Sequence, residues 1–172
     1  MFTLWYDKIL AHNVGYASGQ TELDFKDLNG DTRQYYYSTN LFSNDNTGNL
    51  MNTVMTGTYI GRGLAFGSGT TPPTREDYYL SGEWIKTFTH TKTTTTVKDP
   101  DGCTRTTTYT ITNTGSEEFT IGEIALFAAA AFNSSTSTYF LAERTVLDKP
   151  VTIAPGAVGQ VVYSIRMNYP TK

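Results

Sequence analysis

The chain has 172 residues with 13 Lys and Arg against 16 Asp and Glu, a formal net charge of −3, and is 38% apolar and 17% charged. With no cluster of Lys and Arg it lacks the basic face that phosphate backbones require, so nucleic acid is not expected as a partner, and its single cysteine, Cys103, rules out an intrachain disulfide and a thiol-built zinc cluster. The length suits one domain with at most a small second element, and a surplus of Thr, Ser, Asn and Gly in place of charge favours strands and turns over helices.

The first residues, MFTLWYDKILAHN, show no basic start followed by an apolar run and a small-residue cleavage site, so a secretory signal is not expected. No stretch reaches the roughly 20 apolar residues of a membrane helix; the longest, IALFAAAAF at 124 to 132, is too short. Expression in a cytoplasm follows as the expectation, and the glycosylation pattern Asn133-Ser134-Ser135 is then a chance match. Phe2, Leu4, Trp5, Tyr6, Ile9 and Leu10 lie close together without a period, which fits a short strand or an arm docked on a neighbour.

TELDFKD and RQYYYS flank Leu28-Asn29-Gly30-Asp31, and Asn-Gly between extended segments predicts a tight hairpin. Asp24, Asp27, Asn29 and Asp31 invite a calcium reading, but the bidentate Glu that closes an EF-hand loop is missing, which favours turn chemistry. SNDNTGN at 43 to 49 reads as a surface loop. MNTVMTGTYIGRGLAFG reads as two short strands broken near Gly61 to Gly63, and FGSGTTPPTREDYYL, residues 66 to 80, as an ordered loop that re-enters packed structure.

SGEWIKTFTHTKTTTTVKDPDGCTRTTTYTITNTG then predicts a long hairpin about Asp99-Pro100-Asp101-Gly102, with Pro fixing φ and Gly accepting a positive φ. Trp84, Ile85, Phe88, Tyr109 and Ile111 at its base reach a core; toward the tip both faces are Thr, Lys or Arg, a ribbon that projects into solvent or lies on another subunit. EFTIGEIALFAAAAF lacks polar alternation and reads as a central strand covered on both faces, with an alanine-rich helix from about residue 124 as the competing reading. YFLAERTVLDKPVTIAPG predicts two short strands around Asp148-Lys149-Pro150, and Val161, Tyr163, Ile165 and Met167 alternate along a last strand. The expected fold is all-β: an antiparallel β-sandwich, jelly-roll or immunoglobulin-like, of about 7–9 strands. Residues 51 to 172 form the sandwich, and residues 1 to 50 an arm and hairpin packed on it.

Catalysis finds no constellation. His12 and His90 are the two available imidazoles, one in the irregular N-terminal segment and one in a strand read as solvent-facing, and there is no GxSxG, HExxH or Walker loop. Glu117-Glu118 and Glu76-Asp77 are adjacent pairs, and neighbours on a strand point to opposite faces, so neither makes a glycosidase pair. No residue is assigned a catalytic, cofactor-binding or metal-ligating role, and the chain is not expected to be an enzyme. Tyr35, Tyr36, Tyr37, Trp5 and Trp84 suit sugar stacking, but aromatic core packing is the better account of them. Nor is the Gly-rich loop a phosphate cradle: it lacks the Lys and the following helix, and Pro72-Pro73 removes two amide donors. Asp77 is expected to hydrogen-bond backbone within that loop, and Leu80 with a tyrosine to anchor its far end.

One resemblance adds to this reading. Gly67, Gly69, Thr70, Pro73, Thr74, Asp77, Tyr78 and Leu80 resemble a G-x-G-T-x-x-P-T-x-x-D-Y-x-L segment of small structural proteins of tailed bacteriophages. EIALF at 123 to 127, RTVLDKPVTIAPG at 144 to 156 and YSIRM at 163 to 167 are similar to the E-I-x-L-F, R-x-x-L-x-x-P-V-T-I-x-P-G and Y-x-I-x-M endings of such proteins. The likeness covers roughly residues 57 to 170. It implies a virion component of capsid-decoration, neck or tail-fibre type, without catalytic residues, whose partners are copies of itself and other virion proteins. The N-terminal segment and the 86 to 108 ribbon are the expected contact elements. A carbohydrate-binding or host-adhesion module of a fibre is the alternative.

Overall fold

The computed structural model describes residues 23–35, 63–133 and 136–168. The expected N-terminal arm, the 43 to 49 loop, the strand before Gly61, and Trp5, His12, Tyr36, Tyr37 and Ser134-Ser135 lie outside the described residues.

The fold is all-β and antiparallel in the sandwich-like class, with no helix among the described residues. Eight strands run in chain order: β1 Leu23–Lys26, β2 Thr32–Tyr35, β3 Gly63–Gly67, β4 Phe88–Asp99, β5 Gly102–Asn113, β6 Phe119–Asn133, β7 Thr136–Ile153 and β8 Val158–Asn168. They form a β1-β2 hairpin and two three-stranded sheets ordered β3-β6-β7 and β4-β5-β8. The chain divides into two compact units: residues up to Lys86 with Thr120–Thr152, and Thr87–Phe119 with the residues from Ile153 onward.

In the first unit, β6 lies between β3 and β7, and every described side-chain position from Ile121 to Ala128 is buried. This is the doubly covered central strand expected from its unbroken apolar run, and the helix reading falls. β3 runs antiparallel to it, Gly63 opposite Phe127 and Gly67 opposite Glu123, with Leu64, Ala65 and Phe66 fully buried. Ala65, Leu80, Ala125, Phe127 and Leu141 make a cluster against which Leu28, Tyr79 and Trp84 pack. Burying a side chain the size of Leu or Phe contributes roughly 1.5–3 kcal/mol, so this cluster contributes several kcal/mol to the unit's stability.

Two expectations about β7 are corrected. It is one strand of 18 residues rather than two short ones. Asp148, Lys149 and Pro150 lie within it; β7 is an edge strand, where a proline removes no ladder hydrogen bond. The reversal falls instead at Pro155-Gly156, where Ala157 donates its amide to the Ala154 carbonyl at 3.0 Å.

In the second unit, β4 and β5 pair over their whole length, from Phe88 opposite Asn113 to Asp99 opposite Gly102. The turn holds Pro100 and Asp101, as the sequence predicts, but Gly102 takes no positive φ; among the described residues those values occur at Gly30, Gly63 and Gly156. A type I turn with Pro at its second position needs none. The Asp99 carboxylate accepts the Asp101 amide at 3.0 Å.

The threonine arms are not a bare ribbon, because β8 pairs with β5 from Gly102 opposite Asn168 to Thr112 opposite Val158. Strict alternation sorts the sheet's two faces. One carries Tyr109 and Ile111, fully buried, with Val161, Tyr163 and Ile165 half-buried on β8. On the other, Thr89 stands opposite Thr112, Thr91 opposite Thr110, Thr93 opposite Thr108 and Thr95 opposite Thr106. Buried Asn113 locks the base of this unit: its amide group donates to the carbonyls of Glu117 at 2.8 Å and Ile153 at 2.9 Å, and its side-chain oxygen accepts the Gly115 amide.

Candidate functional site

The β1-β2 hairpin is as tight as Asn-Gly suggests, with one residue more in its loop. The Gly30 amide donates to the Asp27 carbonyl and the Asp27 amide to the Asp31 carbonyl, and Gly30 sits at φ 81°, a type I turn closed by a glycine bulge. A β-carbon on Gly30 would also stand 3.1 Å from the Tyr78 ring, so the hairpin tip rests on that tyrosine. Of the side chains read as calcium candidates, Asp27 has both its oxygens engaged. Asp27 Oδ1 accepts the amides of Asn29 and Asp31, and Oδ2 accepts Arg33 Nε at 2.8 Å.

The loop after β3 is closed at its neck. Ser68 donates its amide to the Glu83 carbonyl at 3.0 Å, and Ile85 to the Phe66 carbonyl at 2.8 Å, while Gly67 and Trp84 form an isolated bridge. Inside the neck lies the carboxylate of Glu123, fully buried on the central strand. Its Oε1 accepts the amides of Gly69 at 3.2 Å and Gly82 at 2.8 Å. Its Oε2 accepts the Ser81 amide at 3.1 Å and the Ser81 hydroxyl at 3.2 Å.

Arg144, 1% exposed on β7, completes the site. Its Nε donates to Glu123 Oε2 at 2.5 Å and its Nη1 to Asp77 Oδ2 at 2.6 Å. Nη2 donates to the Thr71 carbonyl and the Ser81 hydroxyl, each at 2.6 Å. Asp77 in turn accepts the Thr74 amide at 2.9 Å and the Thr74 hydroxyl at 2.7 Å, the backbone bond expected of it. Leu80 enters the cluster, and the Tyr79 ring lies 5.7 Å from that of Phe127, which is the far-end anchor read from the sequence.

The charges here are mutually sustaining. Burial acts to raise the Glu123 carboxyl, but Arg144 and the Gly82 and Ser81 amides outweigh it and hold the group below the ordinary carboxylate range. Burial likewise acts on Asp77 and is outweighed by the Thr74 amide and hydroxyl and by Arg144. Burial lowers the guanidinium of Arg144, yet its two carboxylate partners raise it above its usual value. Since both folded carboxyls titrate below their unfolded values, the stability they confer is present at neutral pH and lost as the pH falls through those folded values. The urea midpoint is therefore expected to decline between about pH 5 and pH 2, and Asp77→Asn to flatten that decline. A midpoint that does not move on acidification, or moves identically in Asp77→Asn, contradicts this account.

Other candidate residues are placed differently. His90 is half-buried rather than solvent-facing, its ring 6.4 Å from Phe88 and 6.1 Å from Tyr109; burial, and then Lys92, lower its pKa. Glu76, Glu117 and Glu118 are exposed. Trp84 packs on the core cluster with the Lys86 ammonium 4.9 Å from its ring centre, so its faces are engaged. Among the described residues no three His, Cys, Asp or Glu side chains gather as a metal site. A groove of about 490 Å³ runs beside the site, lined by Leu28 and Asn29 of the hairpin, by Thr74 and Glu76 to Ser81 along the loop, and by Arg144.

Sequence reasoning passed over Glu123 and Arg144, although both stand inside quoted motifs. The available signal was charge set in two apolar strands, the lone Glu123 in IGEIALF and the Glu143-Arg144 pair in FLAERTV. A charge at a covered position requires an opposite partner. The chain matches no protein-family model, no curated protein and no solved structure.

Proposed function

We propose that the protein is a structural component of a tailed-phage virion, made in the host cytoplasm and assembled through repeated contacts with copies of itself and with neighbouring capsid, neck or tail subunits. The supporting observation is the convergence at one buried site of three segments that carry the phage resemblance: Gly69 and Asp77 from the loop, Glu123 from EIALF and Arg144 from RTVLDKPV. These residues spend their polar atoms on one another and on backbone. Such a closed network fastens a loop, the task of a part that must hold its shape in an assembly. The fibre-adhesion alternative is weakened by the engagement of Trp84. Mass spectrometry of purified particles of the encoding phage is expected to find the chain in many copies per particle, and particles that lack it overturn the proposal.

A further inference from the structure

The face of the β4-β5-β8 sheet that carries the four threonine pairs is unlike an ordinary solvent face. Val97, Val158 and Val162 stand on it at 62%, 63% and 62% exposure. Alternation sends Lys92, Lys98 and Arg105 to the opposite face. The charges that do share it, Asp99 and Arg166, neutralise each other: Arg166 Nη1 donates to Asp99 Oδ2 at 2.7 Å and Nη2 to Oδ1 at 2.9 Å. Arg166 also donates to the Thr104 hydroxyl and to Asn168 Oδ1, which fixes the pair at the turn end of the sheet. Between that pair and the base, the face holds methyls, hydroxyls, one Gln and one Ser.

We infer that this face is the contact between two copies of the chain, packed sheet on sheet about a two-fold axis. A two-fold contact sets each residue near the axis against its own copy, so any unpaired charge there would face itself. A face without net charge is complementary to itself. Interface centres are depleted of charge in the same manner, and threonine methyls with valines supply apolar area while the hydroxyls pair across strands, as Thr106 and Ser164 already do at 2.8 Å. Strands of 11 and 12 residues at about 3.3 Å per residue and 4.8 Å spacing give a footprint of about 500 Å² per copy. Two such faces remove about 1,000 Å², at the lower bound of a specific interface. The pairing is accordingly of micromolar strength alone and is reinforced where subunits are already held side by side. The contact deepens the assembly reading above and rests on it for its setting; it also narrows the expected 86 to 108 ribbon to one defined face of its sheet as the contact element.

Sedimentation of the full chain across the micromolar range tests it. The wild type is expected to be a reversible dimer. Thr108→Lys, at mid-length of the middle strand and so at the centre of the face, between Thr93 and Val162, is expected to keep the far- and near-ultraviolet circular dichroism of the wild type and to weaken the dimer by about tenfold or more, because like charges then meet across the axis. Mixing Thr108→Lys with Thr108→Glu is expected to restore it as a heterodimer, which a merely local effect of the substitutions cannot do. Lys92→Glu, on the opposite face, is expected to leave it unchanged. A monomeric wild type, a dimer indifferent to Thr108→Lys, or one broken by Lys92→Glu instead, overturns the inference. A monomer that is nonetheless abundant in purified particles sinks this face and leaves the virion role standing; a dimer absent from particles does the reverse.

Discussion

Replacing Arg144 with Met is expected to cost about 3–5 kcal/mol at neutral pH, measured by urea denaturation. The reason is what remains behind. Glu123 would keep its four donors from Gly69, Ser81 and Gly82 but would hold a full charge at zero exposure with no cation beside it, and Asp77 would lose its guanidinium. The loss also has a distinctive pH signature. In the wild type Arg144 is the largest counterweight to the burial that raises Glu123; without it the folded carboxyl is expected to rise, so that the loss of stability in acid contributed by Glu123 shrinks relative to the wild type. Glu123→Gln combined with Arg144→Met removes the stranded charge and is expected to be more stable at neutral pH than Arg144→Met alone, despite carrying one more substitution. An Arg144→Met protein within about 1 kcal/mol of wild type, losing as much stability in acid as the wild type does, would show that the network is peripheral.

Much of the fold was legible because period and punctuation agreed. The alternation at Val161, Tyr163 and Ile165 produced β8, Asp-Pro-Asp-Gly placed the β4-β5 turn, and the unbroken apolar run of EIALF marked a strand covered on both faces. The errors have physical causes. Pro150 reads as a strand break only if its strand needs every amide, and an edge strand does not. Gly102 suggested a positive φ, but Pro100 and Asp101 already satisfy a type I turn, so the glycine simply begins β5. His90 was read as exposed because threonines surround it in sequence, whereas its cross-strand partner is Ile111, which draws the ring toward Phe88 and Tyr109. The site was harder. Asp77 announced itself through its local Thr74 contact, three residues away, but Glu123 and Arg144 meet across β6 and β7, and pairing between strands is not written at either position alone. A local rule found the turn, while the partner of a buried charge needed the topology.

The glycines of the loop make a second test, independent of charge. Gly82→Ala is expected to destabilise the protein by about 3 kcal/mol or more, combining overpacking with loss of amide bonds to a carboxylate. A β-carbon at Gly82 would lie 2.2 Å from the Gly69 nitrogen and 2.6 Å from its α-carbon. Those are backbone atoms, which cannot swing aside as the end of a side chain can, so the two limbs of the loop must separate. Separation acts directly on the site, since the amides of Gly69 and Gly82 both point at Glu123 Oε1, and parting the limbs withdraws at least one of them. Gly156→Ala is the control without crowding: nothing lies within 4 Å of a β-carbon there, so only its φ of 75° costs anything, about 1–2 kcal/mol. Amide hydrogen exchange separates this mechanism from general weakening. In Gly82→Ala the Gly69 and Ser81 amides are expected to lose protection far more than those of β5, whereas a uniform loss, or a melting temperature matching the wild type, would mean that the close approach of the two glycines does not fasten the loop.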